Sequence, residues 1–301
     1  MNKFKTIVLT VLFLWLLSYF LSLMIVDDER VISEGIAIVP IYGAISIKDS
    51  SDFLQGSFTG SDTILSNLKK ANENKAVKAI ILEINSPGGT VVASKEVADY
   101  VEKIKKNKPV VAWIREVGAS GAYWIASSSS VIVADELSIT GSIGVISSYL
   151  DYSDLLEDYG VKYERLVAGD YKDTGSPFKD LNDQERIILE SKLKKIQSLF
   201  LESVVKNRKL TPSQTNEVKS ALFYLGIEAK DLGLVDILGG REEAILKARE
   251  LANIEDGQII EYKSKKSILD LLESISSKAF FNVGLGIGSE LKQDKEFKIL
   301  A

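Results

Sequence analysis

The chain has 301 residues, 46% hydrophobic and 26% charged, which suits a globular protein with one large core or two modest ones. Its formal net charge of −5 argues against nucleic acid as a main partner, because binding phosphate requires a basic surface. With no histidine and no cysteine, Ser-His and Cys-His pairs, the usual zinc sites and disulfides are excluded, and acid–base chemistry must rest on Lys, Tyr, Asp or Glu.

In chain order, Lys3 and Lys5 precede an uncharged run from Thr6 to Val26, which "DDER" follows. As a helix that run would cover about 30 Å, the thickness of a bilayer core. The charges on either side place the N-terminus in the cytoplasm and the rest outside. A cleaved signal peptide is the alternative, but the run is long and ends without a small-x-small site, so an uncleaved anchor is expected. Gly35–Ile45 then reads as a β-branched strand. "DTILSNLKKANEN" predicts a helix opening at Asp62, with Ile64, Leu65 and Leu68 at helical spacing. "VKAIILEI" predicts a buried strand ending in the turn "NSPGG". The amphipathic helix "TVVASKEVADYVEKIKKN" and the strand "PVVAWI" come next. A further helix begins at Ser120, followed by the strand "VIVAD" and, later, a strand in "YERLVA". This alternation predicts right-handed crossovers and a largely parallel sheet. From Leu181 to about Leu210 the pattern is helical, and short helices with a small strand follow. The last stretch carries an amphipathic helix (Ile268, Leu271, Leu272, Ile275) and a glycine-rich tail, the part least expected to be rigid.

Three pieces carry chemistry. "VGASGAYWIASSSS" places Ser120 among small residues at a helix start, where a peptide could approach and the Gly121 N–H would be free to hold an oxyanion. "EINSPGGT" is a strand-to-helix turn whose successive N–H groups form an anion-binding concavity, with Gly89 as the natural second donor. In "AGDYKDTGSPF", Lys172 lies in a loop and not on a charged helical face. To act as a base, a lysine must be neutral, which requires burial to bring its ordinary pKa of ~10.4 down to ~7–8. Asp170 and Asp173 would oppose this if they faced it. On the residues alone each piece also has a plain structural reading: close helix-on-sheet packing, an ordinary turn, a solvated lysine.

In this order "NSPGG", "GASGAYWIAS", "TGSIGV" and "AGDYKDTGSPF" resemble the signature blocks of the signal peptide peptidase A family, Ser/Lys peptidases also called protease IV. The resemblance runs from about residue 39 to residue 240. It implies an α/β fold of the ClpP/crotonase type, with repeated β-β-α units, a mainly parallel sheet and a helical C-terminal part, plus one N-terminal transmembrane helix. The implied division is a cytoplasmic tip and anchor over residues 1–27, an extracytoplasmic peptidase domain over 28–263 and an amphipathic tail over 264–301. It also implies that Ser120 is the nucleophile, Lys172 the general base, Ser142 the residue that orients the lysine, and Gly89 and Gly121 the oxyanion hole. No metal or cofactor is needed. The implied partners are apolar peptides such as cleaved signal peptides, membrane lipid around the N-terminal helix, and further copies of the chain. Two features depart from the pattern. Gly121-Ala122 stands where Gly-Gly is more common, and the chain corresponds to only the C-terminal half of the long, tandemly duplicated form. The rival readings are a specialised membrane-protein protease with the same dyad, a crotonase-type enzyme acting on an acyl-thioester, and an inactive oligomeric scaffold. Tyr123 and Trp124 either line the groove or belong to the core.

Overall fold

The computed structural model describes residues 3–25, 34–52 and 56–262. Helix α1 (Lys3–Ile25) is followed by strands β1 (Gly35–Tyr42), β2 (Ala44–Ser46), β3 (Ser50–Asp52) and β4 (Gly56–Gly60). Next come α2 (Ser61–Glu73), β5 (Val77–Ser86), α3 (Val91–Ile104), β6 (Val110–Ala119), α4 (Gly121–Ser127), β7 (Val131–Ala134) and β8 (Ile139–Gly141). The remainder is α5 (Ser153–Asp158), α6 (Asp183–Arg208), α7 (Pro212–Val218), β9 (Phe223–Leu225), α8 (Gly226–Asp231), β10 (Ile237–Leu238), α9 (Arg241–Ala252) and β11 (Gln258–Glu261).

The main sheet runs β10-β7-β6-β5-β1-β11, all parallel, and only β8 and β9 pair antiparallel within it. Strands covered on both faces read as continuous apolar runs, and β1 and β5 do so here. One face packs Val39, Ile80, Leu82 and Ile114 against α2, α3, α4 and α6. The other packs Ile36, Ile38, Ile81 and Val111 against Ala244 and Ala248 of α9. The strand that was expected unbroken from Gly35 to Ile45 is interrupted at Gly43, whose φ of 70° turns the chain into β2. The expected β-β-α repeat is visible where β2 follows β1 and β8 follows β7, whereas β5 and β6 are single ten-residue strands. The two halves of β6 pair with different neighbours, β7 and then β8. Helix α2 opens one residue before Asp62, which falls in its first turn.

Three expectations need correction or restriction. "YERLVA", residues 163–168, is not a strand: among the described residues no strand lies beside it to bond to, whatever its β-propensity. Side chains are described in α1 only for residue 5 and residues 8–19. Among the described residues no helix is long and apolar enough to cross a membrane, so the expected anchor rests on the sequence. The chain divides into Met1–Tyr262 and Lys263–Ala301. The second unit, with the expected amphipathic helix and tail, lies outside the described residues.

Candidate active site

Strand β6 ends at Ala119 and α4 begins at Gly121, leaving Ser120 alone in the turn with φ 52° and ψ −125°. An L-residue there is strained, and surrounding bonds must hold it. Its N–H donates to the Gly141 carbonyl at 2.9 Å, and its own carbonyl accepts from the Trp124 N–H at 2.9 Å. The first of these bonds ties β8 beside the serine. Ser142 follows directly, also at φ 52°, and donates its N–H to the Leu222 carbonyl at 2.8 Å.

The "NSPGG" turn is laid against the same spot. Gly88 has φ +102°, and a Cβ there would lie 2.8 Å from the Gly121 nitrogen and 2.9 Å from Ser120 Cβ. Gly89 forms an isolated parallel bridge with Ile45. Both of its bonds are made by Ile45, which donates to the Gly88 carbonyl at 2.8 Å and accepts from the Thr90 N–H at 2.9 Å. The Gly89 N–H therefore points away from Ile45 and has no hydrogen-bond partner among the described residues. The Gly121 N–H is the first of α4 and has no intrahelical partner. The two nitrogens are close, since the Gly89 nitrogen lies 3.3 Å from where a Gly121 Cβ would stand. That same methyl would overlap the Ser94 hydroxyl, which is buried and unpaired beneath them.

These groups line a cleft of about 370 Å³, with Gly89, Ser94, Ser120, Gly121 and Ser142 among its polar lining. Val91, Trp124, Val145, Ile146, Phe200 and Ala221 supply apolar surface. The Trp124 and Phe200 rings stack with centroids 4.5 Å apart, so α6 takes part in building the cleft. Tyr123 is a core residue, donating its hydroxyl to the Leu234 carbonyl at 2.9 Å, whereas Trp124 belongs to both core and cleft. Phe200 and Ala221 were not foreseen as site residues. A phenylalanine in an apolar helical pattern reads as core, and an alanine has no chemistry to announce it.

Lys172 stands apart from this group. None of residues 145–182 is buried; the Lys172 side chain is exposed and does not line the cleft, and its N–H donates to the Gly169 carbonyl at 3.1 Å. Asp173, one of the two acids that would oppose a neutral lysine, is bound elsewhere. It accepts from Arg165 Nε at 2.6 Å and Nη2 at 2.9 Å, and lies 3.7 Å from Lys179. The Arg165 guanidinium holds its carboxyl below the usual carboxylate range. Lys179 also donates to buried Glu185 at 2.5 Å, which lowers that carboxyl and raises the lysine. Glu185, in the first turn of α6, also accepts from Thr174 Oγ1 at 3.3 Å, so these two bonds fasten the exposed segment to a long helix.

A mainly parallel α/β sheet whose strand β6 leads into a strained serine, beside two backbone N–H groups without partners among the described residues, is consistent with a ClpP-like fold. The Clp protease profile matches residues 53–131. The profile of peptidase family S49 matches residues 102–255, and the chain belongs to that family and is a serine peptidase. It is 32% identical to a Methanocaldococcus jannaschii protein with a protease name, over 76% of this chain and 72% of the relative. It is 34% identical to an Enterococcus faecium protein named for signal peptide peptidase SppA, over 79% of this chain and 69% of the relative. Protease 4 of Haemophilus influenzae is 34% identical over 72% of this chain but only 35% of its own length.

Proposed function

We propose that the protein is a membrane-anchored endopeptidase that cleaves apolar peptides, remnant signal peptides among them, through a Ser120/Lys172 dyad. The observation that carries this reading is the convergence of Ser120, Ser142 and the unpaired Gly89 and Gly121 N–H groups in one cleft that also carries apolar walls. Neutral Lys172 takes the proton from Ser120 Oγ as the oxygen attacks the carbonyl, and the two N–H groups hold the oxyanion. The lysine then protonates the leaving amine as the C–N bond breaks, and water, giving its proton to the lysine, attacks the acyl ester so that the product acid leaves and Ser120 Oγ regains a proton. Ser142 orients the lysine amine. The uncharged run Thr6–Val26, read from the sequence, would tether the enzyme where apolar peptides collect, with the N-terminus inside and the peptidase outside.

Because Lys172 sits on an exposed segment away from the cleft of its own chain, the working site is completed by another copy. Ile146, 87% exposed, and Leu166, 95% exposed, belong to the surface such an assembly would cover.

The test is hydrolysis of an apolar fluorogenic peptide by the detergent-solubilised full chain across pH 6–10. Ser120→Ala and Lys172→Ala should each abolish it, and the wild-type rate should rise with pH, as a lysine base requires. Mixing the two dead variants should restore part of the activity if the lysine comes from a second copy. An active Lys172→Ala variant that binds acyl-coenzyme A would move the protein to the crotonase side. An assembled wild type that ignores a serine-directed fluorophosphonate would leave the scaffold.

A further inference from the structure

Five non-glycine residues have positive φ among the described residues: Ser120, Ser142, Lys209, Ala221 and Asn253. Lys209 and Asn253 are the caps that end α6 and α9, a common use of that conformation. The other three all line the cleft. Ser120 and Ser142 have chemical reasons to be there. Ala221, at φ 62°, follows the turn that ends α7, with its N–H donating to the Val218 carbonyl at 3.2 Å. Glycine would hold that backbone without strain, so the methyl is the only thing alanine adds.

That methyl faces a residue without one. A Cβ on Gly144 would stand 2.6 Å from Ala221 Cβ, and the next atom near it, Ala221 Cα, is 4.0 Å away. Gly144 has no positive φ, so its backbone alone does not exclude a side chain. Gly144 and Ala221 thus share space for one methyl between them, and both line the cleft alongside Trp124, Ile146 and Phe200.

We propose that the Ala221 methyl, set against Gly144, limits the length of the side chain that the cleft takes from the residue whose carbonyl is attacked. This rests on the peptidase reading above, because that residue's side chain is the one brought nearest to Ser120 when its carbonyl oxygen meets the Gly89 and Gly121 N–H groups. With the methyl in place the cleft favours short and medium apolar side chains. Without it, the space extends to aromatic ones.

The experiment compares kcat/KM on matched fluorogenic peptides with Ala, Leu or Phe at that position, using the full chain in detergent. The variants are Ala221→Gly, Gly144→Ala and the double variant that moves the methyl across the gap. Ala221→Gly should raise the Phe-to-Ala ratio roughly tenfold, the size of a one-methyl discrimination, and unfold at no lower temperature than wild type. Gly144→Ala alone should lose activity, most of all on Phe. The double variant should recover activity and return the preference to within a few-fold of wild type. An unchanged ratio in Ala221→Gly overturns the proposal. So does an equal drop in kcat on all three peptides, which would mark a backbone role through the Leu222 carbonyl on Ser142. Failure of the double variant to recover also counts against it, and if Gly144→Ala does not fold, Ala221→Gly decides alone. Ser120→Ala is run beside them. If it stays active the peptidase reading itself falls, whereas a dead Ser120→Ala with an unchanged ratio removes only the inference on Ala221.

Discussion

Gly121 is asked to do two things at once: present its N–H to the cleft, and leave room for the buried Ser94 hydroxyl behind it. A methyl at this position would overlap Ser94 Oγ, so Gly121→Ala must push α4 outward and move the donor. The expected loss is about 10²–10³ in kcat with KM little changed, the usual cost of one oxyanion donor. Steady-state kinetics would show this, and a fluorophosphonate should still label Ser120 slowly if the fold survives. A variant with wild-type kcat would remove Gly121 from the oxyanion hole. Ala122, the departure from the more common Gly-Gly, is fully buried and outside the cleft, so its methyl does not narrow the substrate path.

At the scale of elements, the exposed segment of residues 145–182 owes part of its order to charge. Asp173 and Glu185 are both held below their ordinary values, Asp173 first by Arg165 and Glu185 first by Lys179. A carboxylate lowered in the folded state contributes stability that is present above its ordinary pKa and fades as the pH falls through the lowered value. The segment should therefore loosen below about pH 4, where free carboxylates take up protons, while the sheet persists. Hydrogen exchange across residues 165–185 would report it. Arg165→Ala should produce the same local loosening at neutral pH with little change in the main unfolding transition. Equal protection in wild type and variant would count against the role of the pair. This segment is also where reading the sequence had least purchase. The strands β1, β5, β6 and β7 and the helices between them were legible, because an element covered on both sides writes its burial into a run of apolar residues. "YERLVA" has the same kinds of residue and no strand to bond with. The turns at Gly88–Gly89 and Ser120 were legible through their small residues, whereas a left-handed alanine at 221 leaves no mark in a sequence. Nor could spacing reveal that Lys172 would stand away from the serine of its own chain.

For the whole molecule, the decisive link is the antiparallel pair β8/β9, which joins residues near Ser142 to residues more than eighty positions later. Tyr224, mostly buried, packs on Gly141, whose carbonyl receives the Ser120 N–H, and the carbonyl of Leu222, two residues before it, receives the Ser142 N–H. Tyr224→Ala should therefore slow fluorophosphonate labelling of Ser120 although it lies far from it in sequence; unchanged labelling would show that the cleft stands without this support. The same link has a meaning for a chain still being made. When Ser120 leaves the ribosome, neither β9, which pairs with the strand beside its turn, nor the alanine that closes its cleft exists yet. Both arrive together roughly a hundred residues later, so a nascent chain that has already exposed Ser120 must make that much more polypeptide before the cleft around it can form.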